Sequence, residues 1–229
     1  MEPQMADPAG LTGAFWTEAQ LDLNARRLEH LASLGLDLSR KSVLEVGGGI
    51  GDLTMYFLDR QCRVLLTDGR AENVRFAAQD ELFRGQKRLK TEVLNLDSPG
   101  KPRKGEYAIA FCYGVLHLTA YPERALKFLA ASCTEILLLE CEIVPGDASS
   151  LHTTTQPTEA PLGPVGPRSS RPTSAWVREQ LAARFRFVYA PVKPPEHEHF
   201  RTRSTCVSPA REVFIGAHTK LRSDMLRQV

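Results

Sequence analysis

The stretch "KSVLEVGGGIGDLTMYFLDR", residues 41–60, decides how this chain is read. Val43, Leu44 and Val46 form a short apolar run, Gly47, Gly48 and Gly49 follow directly, and beyond Gly51 the apolar residues Leu53, Phe57 and Leu58 suit a helix. The pattern predicts a strand, a tight turn and a helix. A turn stripped of side chains lets backbone approach a ligand closely.

Outward from this unit, short apolar runs alternate with amphipathic ones. Strands are expected at 42–47, 63–67, 89–95, 106–113 and 135–141, and helices at 51–60, 71–83 and 122–132. Alternation of this kind predicts a parallel sheet covered by helices. Upstream, "TEAQLDLNARRLEHLASL" at 17–34 places Leu21, Leu28, Leu31 and Leu34 at helical spacing, after a polar leader containing Pro and Gly. Residues 145–172 are rich in Pro, Gly, Ser and Thr, the composition of a linker or of a long loop over a site. A helix at 173–183 and strands at 185–190 and 211–218 are too little to bury a core alone, so they are expected to complete the same sheet. The 145–172 segment is therefore read as a loop inserted in one domain.

Composition narrows the function classes. The 229 residues carry a formal net charge of +2, too near zero to make nucleic acid or an anionic membrane an obvious partner. Cysteines 62, 112, 133, 141 and 206 are odd in number and lack paired zinc-type spacing, so free, mostly buried thiols are expected. No apolar stretch approaches 18 residues, and "MEPQMADPAG" lacks the character of a signal peptide; a cytoplasmic protein is expected.

A dinucleotide-binding turn has the spacing G-x-G-x-x-G, whereas Glu45, Gly47, Gly49 and Gly51 spell E-x-G-x-G-x-G, which suits a ligand with no phosphate to hold. Asp68, after "VLLT", is placed to offer a carboxylate to a ribose diol, and Asp97, in "LNLDSP", to accept from an adenine amino group. Both also have bland readings, as a turn aspartate and a helix cap.

With "VLEVGGGIG", "LLTDGR", "LNLDSP", "YAIAFCYGVLHL" and "ILLLECEIV" in this order, the chain resembles the class I S-adenosylmethionine-dependent methyltransferases over roughly residues 38–219. The resemblance implies an α/β, Rossmann-like three-layer sandwich with a seven-stranded, mostly parallel sheet in the order 3-2-1-4-5-7-6, the last strand antiparallel. It divides the chain into an N-terminal segment and helix, 1–37, and a methyltransferase domain, 38–229, with the 145–172 insertion. It implies S-adenosyl-L-methionine as cofactor, with Glu45, Gly47, Gly49 and Gly51 at its methionine part, Asp68 and Gly69 at the ribose, Leu96 and Asp97 at the adenine, and Cys112 and Tyr113 beside it. Many relatives carry a paired histidine where this chain has Leu118 after His117, a departure from the pattern.

Ligands of open parallel sheets bind beyond the carboxyl ends of the strands, which selects residues 113–121, 140–171 and 192–209, with "FWTEAQ" as a candidate lid. Methyl transfer needs a base only where the nucleophile holds its proton, and His117, Glu142, His152 and His197 lie in those segments. His117, Glu142 and His197 are the catalytic candidates. "EHEHF" sets His197 and His199 on one face but supplies no third ligand, so no metal is expected. Arg84, Lys87, Arg88, Lys90, Lys101, Arg103 and Lys104 precede strands, on the side away from the cofactor, where a bound nucleic acid could not reach the methyl group. The expected acceptor is a small molecule or carbohydrate methylated on oxygen; the alternatives are an RNA or protein methyltransferase, an inactive cofactor-binding protein, or a nicotinamide-dependent dehydrogenase.

Overall fold

A computed structural model describes residues 8–200 and 210–229. Met1 to Asp7 of the leader, Cys206, and residues 201–209 of the last candidate substrate segment lie outside the described residues.

The elements in chain order are α1 (Pro8–Phe15), α2 (Glu18–Ser33), β1 (Ser42–Val46), α3 (Thr54–Asp59), β2 (Arg63–Asp68), α4 (Ala71–Gln79), β3 (Leu89–Val93), β4 (Tyr107–Tyr113), α5 (Pro122–Ser132), β5 (Cys133–Ile143), β6 (Leu151–Thr155), β7 (Arg168–Pro172), α6 (Ser174–Ala182), β8 (Phe187–Pro191), β9 (Ala210–Ala217) and β10 (Leu226–Gln228). The main sheet runs β3-β2-β1-β4-β5-β9-β8-β10. Strands β1 to β5 are parallel, β9 is antiparallel to both β5 and β8, and β10 is antiparallel to β8.

Because successive strand residues point to opposite faces, each central strand feeds two cores. Val43, Ile109, Phe111, Leu138 and Ile215 pack on one face with Phe57 of α3 and Leu23 and Leu31 of α2. Leu44, Ala110, Cys112, Leu137 and Phe214 pack on the other with Leu126 and Leu129 of α5 and Val177 and Leu181 of α6. This is the expected α/β three-layer sandwich. Helix α2 starts where the Thr17 hydroxyl accepts the Gln20 N–H, a side-chain cap on an otherwise orphan donor.

Four features differ from the sequence reading. The sheet has an eighth strand: β10 pairs Leu226, Arg227 and Gln228 with Pro191, Ala190 and Tyr189. The leader contains the helix α1, whose Phe15 is buried. Helix α3 is six residues long, since the first residues after the glycines form turns with Gly51 at φ +102°. The 145–172 segment folds as the hairpin β6–β7, in which Thr153 faces Ser170 and Thr154 faces Ser169 through hydroxyl contacts of 3.2 and 3.0 Å. Cross-strand hydroxyl pairs stabilise such a ribbon without any apolar alternation to announce it.

The segments leading into β3 and β4 lie at the amino ends of those strands, and Arg103, ahead of β4, pairs with Glu92 of β3. Among the described residues, no helix is long and apolar enough to cross a membrane.

Leu138, fully buried at the centre of the sheet, is the measure of this core. Leu138→Ala should cost about 2–5 kcal/mol by urea unfolding, with the denaturant slope unchanged.

Candidate active site

The carboxyl ends of β1, β2, β4 and β5 open into a cavity of about 400 Å³, walled also by α1, α2 and the tip of the hairpin. The glycine turn forms its floor. Gly47 and Gly49 have φ of +69° and +56°, a region costly for any residue with a Cβ. Close packing adds a second constraint. A Cβ on Gly47 would lie 2.0 Å from Val115 Cγ2, and one on Gly49 would lie 2.5 Å from the Phe15 ring. Gly51 serves packing instead: it admits the Phe83 ring and does not line the cavity.

Four carboxylates stand around this floor: Asp52, which accepts from the Asn24 amide at 3.3 Å, and three at the strand ends. Glu45 is buried on β1; the Thr54 hydroxyl donates to its Oε2 at 2.6 Å, while Oε1 has no partner. Burial with so little compensation pushes its carboxyl up to about 7. Asp68 ends β2, with Oδ2 accepting from the Gly49 N–H at 3.0 Å and Oδ1 from the Arg70 N–H at 2.8 Å and the Asn73 amide at 3.2 Å. Burial pushes its carboxyl above the usual carboxylate range, and these donors oppose the rise. Asp97 accepts from the Ala120 N–H at 2.8 Å through Oδ1, which ties the end of β3 to the start of α5. Leu94 and Leu96 give an apolar surface beside it.

The hairpin tip closes over this end. Arg70 Nη2 donates to the carbonyls of Thr158 at 2.6 Å and Pro164 at 2.9 Å, and a Cβ on Gly69 would meet Val165 Cγ2 at 2.5 Å.

The other end of the cavity is built from arginines. Glu140, fully buried near the end of β5, accepts from Arg27 of α2 and, at 2.9 Å, from Arg211 of β9. Although burial alone would raise it, these two guanidinium groups hold the Glu140 carboxyl below its ordinary value. Arg211 reaches Glu142 Oε1 with its second nitrogen at 2.8 Å, and Arg171 Nε reaches Glu142 Oε2 at 2.8 Å. The result is one continuous chain, Arg27–Glu140–Arg211–Glu142–Arg171. Gln156 faces Arg171 with its amide oxygen.

His117 is buried against this chain. Its Nδ1 accepts the Glu142 N–H at 3.2 Å, so its proton sits on Nε2, 3.4 Å from Glu142 Oε1. Burial, with Arg211, Arg171 and Arg27 nearby, holds its basicity well below the usual range, so this contact is a neutral N–H beside a carboxylate and not an ion pair. Both ring nitrogens are occupied within the fold. Tyr113, also on the wall, has a buried hydroxyl with no partner, and burial pushes that phenol far up.

Glu45, Gly47, Gly49, Asp68, Gly69, Leu96, Asp97, Tyr113, His117 and Glu142 therefore meet around one cavity. Gly51, which serves packing, does not, and neither do three other candidates. Cys112 turns its side chain to the opposite face of β4, among Leu44 and Leu137, as strand alternation requires. His152 lies on exposed β6, 3.2 Å from the Ser150 hydroxyl. His197 sits against α2, 3.6 Å from Asp22, with its Nδ1 accepting the His199 N–H, and does not line the cavity. Among the described residues, no group of three side chains is arranged to hold a metal. Arg27, Arg171 and Arg211 were missed by the sequence reading, because they come from α2, β7 and β9 and share no local motif.

Residues 44–135 match the family described as a methyltransferase domain. Over these residues the chain is similar to a methyltransferase domain. Solved structures agree with it in fold across most of its length. The N-terminal domain of EvdMO1, crystallised with S-adenosylhomocysteine (SAH) and D-fucose, is 18% identical, with 88% of this chain and 84% of that chain aligned at a TM-score of 0.63. Magnesium protoporphyrin IX methyltransferase from Synechocystis PCC 6803, with bound S-adenosylmethionine, is 14% identical over 94% of this chain and 87% of that chain, with a TM-score of 0.59. A structure of the Haloferax volcanii Trm112 methyltransferase activator in complex with a methyltransferase is 12% identical, with 92% and 96% aligned and a TM-score of 0.60. No curated protein matches the chain.

Two of these neighbours hold S-adenosylmethionine or SAH, and the acidic end of this cavity suits a ligand of that kind. The orphan Glu45 Oε1, buried beside the glycine floor, is an acceptor that lacks a cation, and S-adenosylmethionine carries both an ammonium and a sulfonium.

Two outcomes follow from this geometry. Glu45 is raised from an ordinary 4.5 to about 7, so the folded chain binds the extra proton and loses stability as pH rises through that window. Glu45→Gln should become more stable relative to the parent between pH 4.5 and 7, by up to about 3 kcal/mol, in paired urea titrations of the unliganded proteins. Arg70→Ala should release the hairpin tip, seen as faster amide hydrogen exchange over residues 157–166 with exchange in β1 and β4 unchanged.

Proposed function

We propose that this chain transfers the methyl group of S-adenosylmethionine to an oxygen atom of a small-molecule acceptor. The observation that carries the reading is the polarity of the cavity, with glycines and carboxylates at one end and three arginines at the other, under a hairpin seated on Arg70. In this reading residues 38–229 form the catalytic domain, with 145–172 as its insertion, and α1 and α2 supply a wall. Glu45 and the floor of Gly47 and Gly49 hold the amino-acid part of the cofactor, Asp68 and Gly69 the ribose, and Leu96 with the free oxygen of Asp97 the adenine. The cofactor supplies an already activated methyl group, so the residues of this chain need only align the acceptor and exclude water.

A small ligand suits a cavity of about 400 Å³ closed by a hairpin. The occupied ring nitrogens of His117 make it a positioning residue for Glu142 in this reading, not the base that removes a proton.

Calorimetric titration with S-adenosylmethionine, SAH and NAD tests the cofactor. The first two should bind and NAD should not, and Asp68→Ala should weaken SAH binding by tenfold or more. Binding of NAD alone, or of none of the three, would sink the reading.

A further inference from the structure

Resting on the methyl-transfer reading, we propose that the acceptor is a carboxylic acid, methylated on its carboxylate oxygen at the arginine-lined end of the cavity.

The first argument concerns protons. An alcohol or phenol acceptor must lose a proton, and the groups at this end that could take it are engaged. His117 has one nitrogen accepting the Glu142 N–H and the other carrying the proton. Glu142 has one oxygen on Arg211 and the other on Arg171. Glu140 is shared between Arg27 and Arg211 and does not line the cavity. The remaining carboxylates of the wall belong to the cofactor end: Glu45 under the glycine floor, Asp52 held by the Asn24 amide, Asp68 by backbone N–H groups and Asp97 by Ala120. A carboxylate needs no base. Its oxygen bonds to the methyl carbon as the methyl–sulfur bond of the cofactor breaks and that electron pair stays on sulfur. The negative charge of the acid and the positive charge of the sulfonium vanish together, leaving an ester and a thioether with no proton moved.

The second argument concerns charge and unsatisfied donors. Arg27, Arg171 and Arg211 stand against Glu140 and Glu142, and His117 is neutral, so this end holds one positive charge more than its partners cancel. Two buried donors on the wall have no acceptor, Arg27 Nε and the Tyr113 hydroxyl. Tyr113 stays protonated and can only donate well. Unpaired buried donors are costly, and a charged acceptor is what satisfies them best. A carboxylate supplies both the missing negative charge and the missing lone pairs. A sugar acid falls in this class, and a neutral sugar does not.

The cofactor has a carboxylate of its own, so the test separates the two sources. Protein saturated with SAH is titrated calorimetrically with benzoate, octanoate and glucuronate, and with benzyl alcohol, octanol and glucose as matched neutral probes. At least one acid should bind tenfold or more tightly than its neutral partner, and with S-adenosylmethionine should yield its methyl ester and SAH in equal amounts. Tyr113→Phe, which removes an unsatisfied hydroxyl and so keeps the fold, and Arg171→Gln should each weaken acid binding tenfold or more while SAH affinity stays within twofold. Failure of all three acids to bind, or preferential methylation of a neutral probe, overturns the proposal. So does a tenfold loss of SAH affinity in Tyr113→Phe, which would assign these donors to the cofactor. Failure of SAH to bind at the outset would instead overturn the methyl-transfer reading, before any acid is added.

Discussion

The buried carboxylate of Glu140 is the constraint on which the rest of the site depends. It lies three residues before the end of the central strand β5 with no exposure to solvent, where an unpaired charge would cost several kcal/mol. Arg27 approaches from α2 and Arg211 from β9, so satisfying this one group fixes both the N-terminal helix and the reversed strand against the parallel part of the sheet. A buried pair of this kind is poor evidence for added stability but strong evidence for a defined arrangement here. Moving α2 would strand Glu140, and moving β9 would strand both Glu140 and Glu142. Arg211, with a planar fork donating to two different carboxylates, is a role that a lysine's point charge would fill poorly.

From that anchor the charges of the cavity separate into two ends. On the β1–β2–β3 side the strand ends carry Glu45, Asp68 and Asp97, each fixed by backbone or hydroxyl donors; on the β4–β5–β9 side the arginines predominate. The separation suits a reaction in which a cationic methyl donor meets an electron-rich acceptor, because each partner is attracted to its own end. It also explains the histidine. His117 is held in a single tautomer by the Glu142 backbone, and burial, with the surrounding arginines, suppresses its protonation, so it stabilises the position of a carboxylate without competing for a proton.

The two covers over the acidic end come from parts of the chain far apart in sequence. Phe15 of α1 lies over Gly49, and the hairpin tip lies over Gly69 with its carbonyls gathered on Arg70. The triple glycine therefore has two uses. Gly47 and Gly49 provide a backbone conformation closed to other residues, and the space their missing side chains leave is filled by Val115 and Phe15 packed against the turn.

Local pattern determined the strand, turn and helix at 41–60, the alternation that dictates a parallel sheet, and the residues at each strand end, because these follow from backbone periodicity and from motifs read within a few residues of one another. It also placed Glu45, Asp68, Asp97, His117 and Glu142 at one edge of the sheet, since strand direction alone puts them there. Only the tertiary structure decided what those residues do. The occupied nitrogens of His117, the packing of His197 against α2, the burial of Cys112 on the far face and the hairpin made by threonines and serines depend on contacts between distant segments. The arginine wall is the clearest case: Arg27, Arg171 and Arg211 are separated by most of the chain, and nothing in local sequence records that three helix and strand positions will share the carboxylates of Glu140 and Glu142.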